Sequence, residues 1–455
     1  MAYQFAKKKD TPYVQDPVFV ANFMKDFARE VREVKGAKYA EVDFGEFHAV
    51  VEQEKTAKET MDKEAKKTLA KTRKEQKEAL RAKYGKAVVD GKEIGIQNWM
   101  VEPPGIFMGR GQHPLRGSWK AAVTPKDVTL NLGKEAKVPA GEWAAVVQEQ
   151  SGIWIAKWQD KIMGKDKYVW PLPEDSPVVT SRMKAKYDKI TKVGKQLDKI
   201  RARIEKQMRA EDEVERQTAT AAFLIDRLGM RVGNEKGKDE ADTVGATTLR
   251  VEHVKVQGDR VDFDFLGKDS VRWQKTHTDQ ALADVLGDLT KGKGPGELVF
   301  DKVDGGDVNR FFAKFGAGIT AKTFRTYHAT AIVERFLASK DVSKASDLEK
   351  VAHAKEANLE AAIYCNHKKT PPKNWDEQMR KKEEKLKTYR ANGKETQAAK
   401  MQQTIEFAAR TKEYNLGTSL ANYIDPRVFK GWFEENGVDW GVLYTKSLQK
   451  KFGWC

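Results

Sequence analysis

The spacing of apolar residues changes twice along the second half of the chain, and no other feature constrains the fold more. Residues 181–230 carry apolar side chains at helical spacing, among them Leu197 and Ile200, which predicts amphipathic helices. Residues 261–265 alternate between apolar and acidic side chains and are flanked by turns, which predicts a small antiparallel meander. Helical spacing returns over residues 307–350. This order predicts an α+β fold in which a small sheet is set among helices.

Two places in this pattern bring basic side chains to exposed positions. Lys268 falls at the predicted hairpin tip. The apolar stretch 224–230 is followed by Arg231, and Gly233 and Asn234 are residue types that end helices. The sequence therefore predicts that Lys268 reaches outward from a hairpin. It also predicts that Arg231 lies near a helix end, from which its side chain can project into a cleft.

The N-terminal part of the chain mixes a charged block with turn-rich stretches. Residues 52–86 are rich in Lys, Glu and Ala, which predicts polar helices in solvent. Residues 102–114 contain closely spaced glycines and prolines, which predict a shaped loop that carries Arg110 and His113.

The C-terminal part contains two further units. Residues 374–413 are polar and free of proline, with a turn signal at Asn392-Gly393. This pattern predicts a projecting helical hairpin or short coiled coil. Residues 416–455 form a compact, aromatic-rich segment that contains Tyr423.

The charge balance limits the class of partner. The 455 residues include 83 Lys and Arg against 67 Asp and Glu, for a formal net charge of +16. A field of that sign attracts DNA, RNA or anionic membranes, although a merely well-solvated protein can carry the same charge. The sequence has no apolar run long enough to span a bilayer and no hydrophobic signal segment. Two cysteines, Cys365 and Cys455, indicate a reducing compartment without a disulfide framework.

Several common chemistries lack their sequence signatures. Residues 287–293 resemble a phosphate-binding loop, but Gly294 stands where Ser or Thr is required and a helix-like segment precedes it. The two cysteines and seven histidines show no zinc-finger spacing, and no carboxylate pair has the spacing of a magnesium site. The sequence predicts no nucleotide, metal or other cofactor.

What remains is a set of basic residues and one tyrosine that precedes Asp-Pro-Arg. Each has an ordinary structural explanation when taken singly, as a helix cap, a surface charge or a core histidine. Taken together and in order, their contexts resemble eukaryotic-type topoisomerase I, a type IB enzyme. The resemblance covers nearly the whole chain and is carried by Glu102–Pro114, Thr218–Val254, Phe263–Ser270, Thr320–Tyr327, Cys365–His367 with Pro371–Lys373, and Gly417–Arg427.

The resemblance implies that Tyr423 attacks a DNA backbone phosphorus, which forms a 3′-phosphotyrosine and frees a 5′-hydroxyl. A phenol with a pKa of about 10 is a weak nucleophile and needs an electropositive site. By resemblance, Arg231, Arg325 and His367 bind the phosphoryl oxygens, and Lys268 protonates the leaving oxygen. Because the protein supplies the cations and the phosphotyrosine retains the bond energy, neither a metal ion nor ATP is expected.

The implied partner is duplex DNA, held by a monomer in a clamp between a cap lobe and a mainly helical, tyrosine-recombinase-like catalytic lobe. No membrane partner is expected. Arg110, Lys167, Asp269, Lys322 and Asn422 match family positions that contact DNA. Arg110, Asp269 and Asn422 also match residues around camptothecin-type inhibitors, which makes such a compound a candidate ligand of the cleaved complex.

The resemblance also implies four domains: a cap lobe at 1–158, a catalytic core at 159–373, a helical-hairpin linker at 374–412 and a C-terminal domain at 413–455. The chain starts inside the family's cap lobe, lacks its long charged N-terminal extension and has a short linker. This compact form favours an archaeal nucleoid over a eukaryotic nucleus as the location.

Two alternatives stay open. A tyrosine recombinase shares the catalytic lobe and the phosphotyrosine chemistry, but recombinases carry His three residues before the second arginine, where this chain has Lys322. That difference favours the topoisomerase. A non-enzymatic basic DNA-binding protein would retain the same residues without the chemistry.

Overall fold

The computed structural model describes residues 1–173, 176–233, 242–372 and 374–455. It is a mixed α+β structure, which confirms the predicted fold class. The chain divides into two compact units, Met1–Val179 and a larger unit that contains most of the chain from Thr180 to Cys455. Asn234 and Lys373, which belong to predicted motifs, lie outside the described residues.

The first unit begins with a helical part that the sequence pattern did not reveal. Its second helix starts at Pro17, and the side chain of Asp16 caps it by accepting hydrogen bonds from the first-turn amides. Phe19, Phe23 and Phe27 recur every four residues and are buried on one face. The helices are α1 (Ala2–Ala6), α2 (Pro17–Glu30), α3 (Gly45–Thr60) and α4 (Lys63–Tyr84).

Helices α3 and α4 confirm the predicted polar helices of residues 52–86, because neither buries a residue. The predicted loop at 102–114 is also confirmed, with one two-residue strand inside it. The strands of this unit are β1 (Lys86–Val89), β2 (Lys92–Gly95), β3 (Gly105–Ile106), β4 (Trp119–Lys120), β5 (Thr129–Asn131), β6 (Ala145–Val147), β7 (Ala156–Gln159) and β8 (Asp166–Val169).

The largest sheet of the first unit has the strand order β6-β5-β7-β8, with β5 and β6 parallel and the other pairs antiparallel. Its core contains Val128, Leu130, Trp158 and Val169. The predicted domain boundary after residue 158 falls within β7, and the four-domain division remains a prediction.

The second unit is mainly helical, as predicted. A core of about thirty buried residues connects its first helices to the small sheet. Its helices are α5 (Pro177–Gln207), α6 (Glu213–Leu228), α7 (Gln280–Thr290), α8 (Gly305–Ala313), α9 (Ala321–Ala338), α10 (Asp347–Tyr364), α11 (Trp375–Ala391), α12 (Glu395–Arg410), α13 (Leu416–Asn422), α14 (Pro426–Glu435) and α15 (Lys446–Lys451).

Helix α6 ends earlier than its sequence indicated. Gly229 adopts a left-handed conformation (φ 70°) and its amide caps the helix by hydrogen bonding to carbonyls of the last turn. The prediction that Gly233 ends the helix is therefore wrong, although Gly233 also has a positive φ of 92°. Glycine is favoured at Gly229 because other residues are strained in this conformation.

The predicted meander is confirmed as a three-stranded antiparallel sheet of order β11-β10-β9. Its strands are β9 (Val254–Gln257), β10 (Arg260–Gly267) and β11 (Val271–Thr278), and a short 3-10 turn, Lys268–Ser270, joins the last two. Val261, Phe263 and Phe265 are buried, which accounts for the alternation in the sequence.

The predicted helical hairpin is also confirmed. Helices α11 and α12 are joined at Asn392-Gly393, and Leu386 and Ala398 are buried in the seam between them. In the ranges that the structure covers, no helix is long and apolar enough to cross a membrane.

Candidate active site

Four of the five predicted catalytic side chains lie close together in the second unit. The Cζ atom of Arg325, on α9, is 5.2 Å from the centre of the Tyr423 ring. The rings of His367 and Tyr423 have centroids 4.8 Å apart. Arg231 is in electrostatic range of both Arg325 and Tyr423. The result is two guanidinium groups and an imidazole gathered around the ring of Tyr423.

Arg325 is buried at 3% exposure, which is rare for an arginine. Its Nη2 donates a hydrogen bond to the carbonyl of Cys365 at 2.8 Å, which fixes the guanidinium against the end of α10. No group among the described residues accepts a hydrogen bond from its Nε. A buried donor without a partner is costly, so this nitrogen is suited to bind an anion that enters the site.

The backbone of Arg231 and of the residue after it is held by a neighbouring segment. The amide of Ala246 donates to the carbonyl of Arg231 at 2.8 Å, and the amide of Thr247 donates to that of Val232 at 2.7 Å. A Cβ atom at Gly245 would lie 2.8 Å from the carbonyl oxygen of Arg231, so the two chains pack as closely as glycine allows. Burial, and then the charge of Arg325, lower the pKa of Arg231.

His367 follows α10 and is buried. Its Nδ1 lies 2.8 Å from the hydroxyl oxygen of Ser419, and its Nε2 has no hydrogen-bond partner in the ranges that the structure describes. Burial first, and then the charges of Arg325 and Arg231, lower the pKa of His367 to about 3. The imidazole is therefore neutral near pH 7, with one nitrogen available to a ligand.

Tyr423 stands at the C-terminal end of α13 and is partly exposed. Its amide donates to the carbonyl of Ser419 at 2.9 Å. The hydroxyl of Thr330, on α9, contacts the Tyr423 carbonyl at 3.4 Å and accepts a hydrogen bond from the amide of Asp425 at 3.0 Å. Arg427 pairs with Asp425 at 2.6 Å, which stabilises the turn that follows. The tyrosine is thus held from α9, the helix that also carries Arg325.

The fifth predicted residue, Lys268, lies on the hairpin of the small sheet. It is exposed on the turn between β10 and β11. Its neighbours Asp269 (φ 66°) and Ser270 (φ 57°) have left-handed backbones, which is unusual for residues other than glycine. Asp269 is in electrostatic range of Arg231, so the turn borders the site.

The predicted DNA contacts lie in both units. In the first, Arg110 is exposed in the 102–114 loop, and the Lys167 ammonium lies 3.7 Å from a carboxylate oxygen of Glu102. In the second, Lys322 is exposed on the first turn of α9 and Asn422 is exposed next to Tyr423.

Two lysines near Tyr423 were not identified from the sequence. The ammonium of Lys186, on α5, donates to the carbonyl of Asn422, and that of Lys451, on α15, donates to the carbonyl of Ala421 at 3.1 Å. Burial, and then the charges of Lys322 and Lys451, lower the pKa of Lys186 to about 7. Among 83 basic residues, only the folded structure distinguishes these two.

Ser419, which hydrogen-bonds to His367, lies in the 417–427 motif, but the sequence did not predict a role for it. It is completely buried. A buried serine directly after Gly-Thr is not distinctive in sequence. Among the residues covered by the structure, no group of three or more His, Cys, Asp or Glu side chains is arranged to hold a metal ion.

Three family models match successive parts of the chain. The DNA-binding fragment of eukaryotic DNA topoisomerase I matches residues 1–171, the catalytic core of eukaryotic DNA topoisomerase I matches residues 176–400, and a C-terminal topoisomerase domain matches residues 395–455. All five predicted catalytic positions fall within these matches. The three matches together cover nearly the whole chain and place it in the class of eukaryotic DNA topoisomerase I sequences.

Curated relatives agree with these matches. DNA topoisomerase 1 beta of Arabidopsis thaliana is 34% identical over all of this chain and 54% of its own length. DNA topoisomerase 1 of Caenorhabditis elegans is 32% identical over all of this chain and 62% of its length. The human DNA topoisomerase 1 is 31% identical over 99% of this chain and 65% of its length. The chain belongs to the eukaryotic DNA topoisomerase I family, as predicted, and it spans between half and two thirds of the length of these relatives.

Proposed function

We propose that this protein is a type IB DNA topoisomerase that relaxes positive and negative supercoils by cutting and resealing one strand of duplex DNA. The observation that carries the proposal is the convergence of Arg231, Arg325 and His367 on the ring of Tyr423. Family membership supports it independently.

In the proposed reaction the Tyr423 hydroxyl oxygen attacks the scissile phosphorus and loses its proton to water. The bond from phosphorus to the 5′-oxygen breaks, and Lys268 gives a proton to that oxygen. The products are a 3′-phosphotyrosine and a free 5′-hydroxyl. Religation is the reverse of this step, so the bond energy is retained and no ATP is needed.

The surrounding side chains support this assignment. Charge builds up on the non-bridging oxygens in the transition state, and the buried donors of Arg325 and Arg231 suit such an anion. The neutral His367 adds a hydrogen bond: with the Ser419 hydroxyl donating to Nδ1, the imidazole proton resides on Nε2. The two arginines supply positive charge without a metal ion.

Lys268, whose side chain is exposed on the turn between β10 and β11, is proposed as the general acid. It lies on a short turn next to Asp269, which is in electrostatic range of Arg231. Catalytic contacts often tighten only when the substrate is bound. DNA in the site would therefore bring the leaving oxygen to Lys268.

The proposal extends to DNA binding. Lys186, Lys322 and Lys451 form a cationic cluster beside Tyr423, and we assign this cluster to the DNA backbone. We assign Arg110, Lys167, Asp269 and Asn422 to contacts with DNA near the cut. The same proposal includes a clamp formed by a cap lobe (1–158) and a catalytic core (159–373). It assigns a linker role to the helical hairpin (374–412) and treats residues 413–455 as a C-terminal domain. It also includes inhibition of the cleaved complex by camptothecin-type compounds.

The proposal is tested with plasmid relaxation in EDTA. We expect the wild-type protein to relax positively and negatively supercoiled plasmids of any sequence. Tyr423→Phe keeps the ring and its contacts but removes the nucleophilic oxygen, so it should bind DNA and leave the supercoils intact. Relaxation by Tyr423→Phe would rule out the mechanism. Strand exchange at a defined site, without general relaxation, would indicate a recombinase.

A further inference from the structure

Strand β11 is the return strand of the hairpin whose turn carries Lys268. It pairs with β10 along its full length, from Gly267 opposite Val271 to Arg260 opposite Thr278. Two of its residues also bind segments that carry other site residues. The position of Lys268 relative to those residues therefore depends on contacts made by β11.

The first contact comes from Asn366. Its side-chain amide donates a hydrogen bond to the carbonyl of Arg272 at 3.1 Å. Asn366 lies between Cys365, whose carbonyl binds Arg325, and His367. Its backbone is left-handed (φ 50°), a conformation that asparagine and aspartate tolerate better than other non-glycine residues. The contact joins the hairpin to the segment that carries His367.

The second contact comes from Lys275. Its ammonium donates a hydrogen bond to the carbonyl of Leu228 at 2.9 Å, the last residue of α6 and three residues before Arg231. A cation is favoured at the C-terminal end of a helix. The ammonium also lies 5.2 Å from the centre of the Tyr364 ring. The contact joins the hairpin to the segment that carries Arg231.

Lys275 is held in place despite an unfavourable environment. Burial lowers the pKa of Lys275, and the charge of Arg325 lowers it further. Burying an ammonium group near the guanidinium of Arg325 costs free energy. The hydrogen bond to the Leu228 carbonyl and the Tyr364 ring offset part of that cost.

The residues that surround Tyr423 also have contacts that do not involve β11. Hydrogen bonds from Ala246 and Thr247 hold the backbone of Arg231, the Cys365 carbonyl holds Arg325, and Ser419 holds His367. Loss of the two β11 contacts should therefore displace Lys268 more than the residues that bind the phosphoryl group.

We propose that Asn366 and Lys275 are positioning residues that hold the β10–β11 hairpin, and with it Lys268, where Lys268 protonates the leaving 5′-oxygen. The inference rests on the proposed function. In the step concerned, the bond from Tyr423 to phosphorus forms, the bond from phosphorus to the 5′-oxygen breaks, and one proton moves from Lys268 to that oxygen.

The test separates loss of proton donation from loss of the site as a whole. A cleavage site is first mapped with the wild-type protein on a labelled duplex. Two substrates are then made, one with the natural 5′-oxygen at the scissile phosphate and one with sulfur in its place. A thiolate leaves without being protonated, because the pKa of a thiol is far below that of an alcohol. The sulfur substrate therefore does not need Lys268.

Two variants each remove one contact. Asn366→Asp keeps the size and the tolerance of a positive φ, but its carboxylate cannot donate to the Arg272 carbonyl. Lys275→Met keeps an unbranched side chain and removes the ammonium. Gln274→Ala is the matched control, because Gln274 lies on the same strand and binds the exposed Asp264 instead. Covalent complex formation is measured under single-turnover conditions.

We expect each variant to cleave the oxygen substrate about 10- to 100-fold more slowly than wild type, and the sulfur substrate within about threefold of the wild-type rate. Lys268→Ala should show the same pattern with a larger loss, about 10²–10⁴-fold. Gln274→Ala should match wild type on both substrates.

Equal slowing of both substrates would overturn the inference, because the contacts would then support the site as a whole. Unchanged rates on both substrates would overturn it too. Thermal melting identifies a variant that does not fold, and the rates of the other variant then decide. If the wild-type protein forms no Tyr423-linked product on either substrate, the proposed function itself fails.

Discussion

His367 is surrounded by groups that disfavour its protonation. It is buried, and Arg325 and Arg231 add like charge, so its pKa is lowered to about 3 in the folded protein. In the unfolded chain a histidine has a pKa of about 6.5. Between these two values the unfolded state binds a proton that the folded state does not. The stability of the folded state should therefore fall as the pH falls from about 6.5 towards 3.

This difference can be measured with His367→Gln, which retains a neutral hydrogen-bonding side chain that does not titrate. Between pH 7 and pH 5, the free energy of unfolding of wild type should fall by about 2 kcal/mol more than that of His367→Gln. Denaturant unfolding at both pH values, without DNA, gives the comparison. Parallel curves for the two proteins would show that His367 is protonated as easily in the folded state as in the unfolded chain.

Ser419 holds the imidazole of His367 in place. Its hydroxyl oxygen is 2.8 Å from Nδ1, and Ser419→Ala would remove that contact. We expect cleavage to slow by about tenfold, the scale of one lost hydrogen bond at a buried site, with no change in DNA affinity. Ser339→Ala, at an exposed hydroxyl after the end of α9, is the control. A weaker affinity with an unchanged cleavage rate would place Ser419 in DNA binding instead.

At the scale of secondary-structure elements, the end of α6 sets the position of Arg231. A Cβ atom at Gly229 would lie 2.8 Å from Cζ of Tyr364, and the residue has a φ of 70°. Gly229→Ala should therefore destabilise the protein by about 1–3 kcal/mol through crowding and strain. Relaxation activity should fall too, because Arg231 is two residues away.

Gly287→Ala is the matched control for this prediction. Gly287 lies within α7, and a Cβ atom there would meet nothing within 4 Å. Alanine should stabilise that helix by about 0.5–1 kcal/mol. Thermal melting and plasmid relaxation of both variants give the comparison. Equal stability of the two variants would show that the space around Gly229 adapts to a side chain.

The elements that were predicted correctly are those with a strong internal period. Val261, Phe263 and Phe265 alternate because one face of β10 is buried, and the 374–413 segment has an uninterrupted polar helical pattern. Helix α2 was missed although Asp16-Pro17 is a start signal. The end of α6 was predicted too late because two glycines, Gly229 and Gly233, follow its apolar stretch. Both have positive φ values, and the local sequence does not show which of them ends the helix.

The residues of the candidate active site were predicted from the family resemblance and not from their own sequence patterns. Arg325 and His367 are not distinctive as residue types, and their burial depends on long-range packing of α9 and α10. Lys186 is 237 positions before Tyr423, and nothing in its local sequence indicates that it binds the carbonyl of Asn422. Contacts of this kind arise from tertiary structure, which periodicity does not encode.

At the scale of the whole molecule, the net charge of +16 favours the association of the protein with a polyanion. Part of it lies on exposed helices such as α4, which buries no residue and has basic side chains in its last turn. Another part is concentrated beside Tyr423, where Lys186, Lys322 and Lys451 are close enough to affect one another. A basic side chain releases counterions from DNA when it contacts a phosphate. The salt dependence of DNA binding therefore distinguishes the charges beside Tyr423 from those on exposed helices.

Binding is measured with Tyr423→Phe, which cannot cleave DNA. We expect its affinity for a duplex to fall about 10³–10⁵-fold between roughly 50 and 200 mM salt, the loss typical of a protein that makes about 6–10 phosphate contacts. Adding Lys451→Gln should reduce the slope of log affinity against log salt by about one. Lys186→Gln should reduce it by less near pH 7, because burial lowers the pKa of Lys186 to about 7. Lys302→Gln also removes one positive charge, but the Lys302 ammonium is paired with Glu213. The slope for this variant should therefore equal that of Tyr423→Phe alone. Binding titrations over this salt range test all four proteins. Identical slopes for all three lysine variants would mean that the cluster beside Tyr423 acts through its field and not by contacting the backbone.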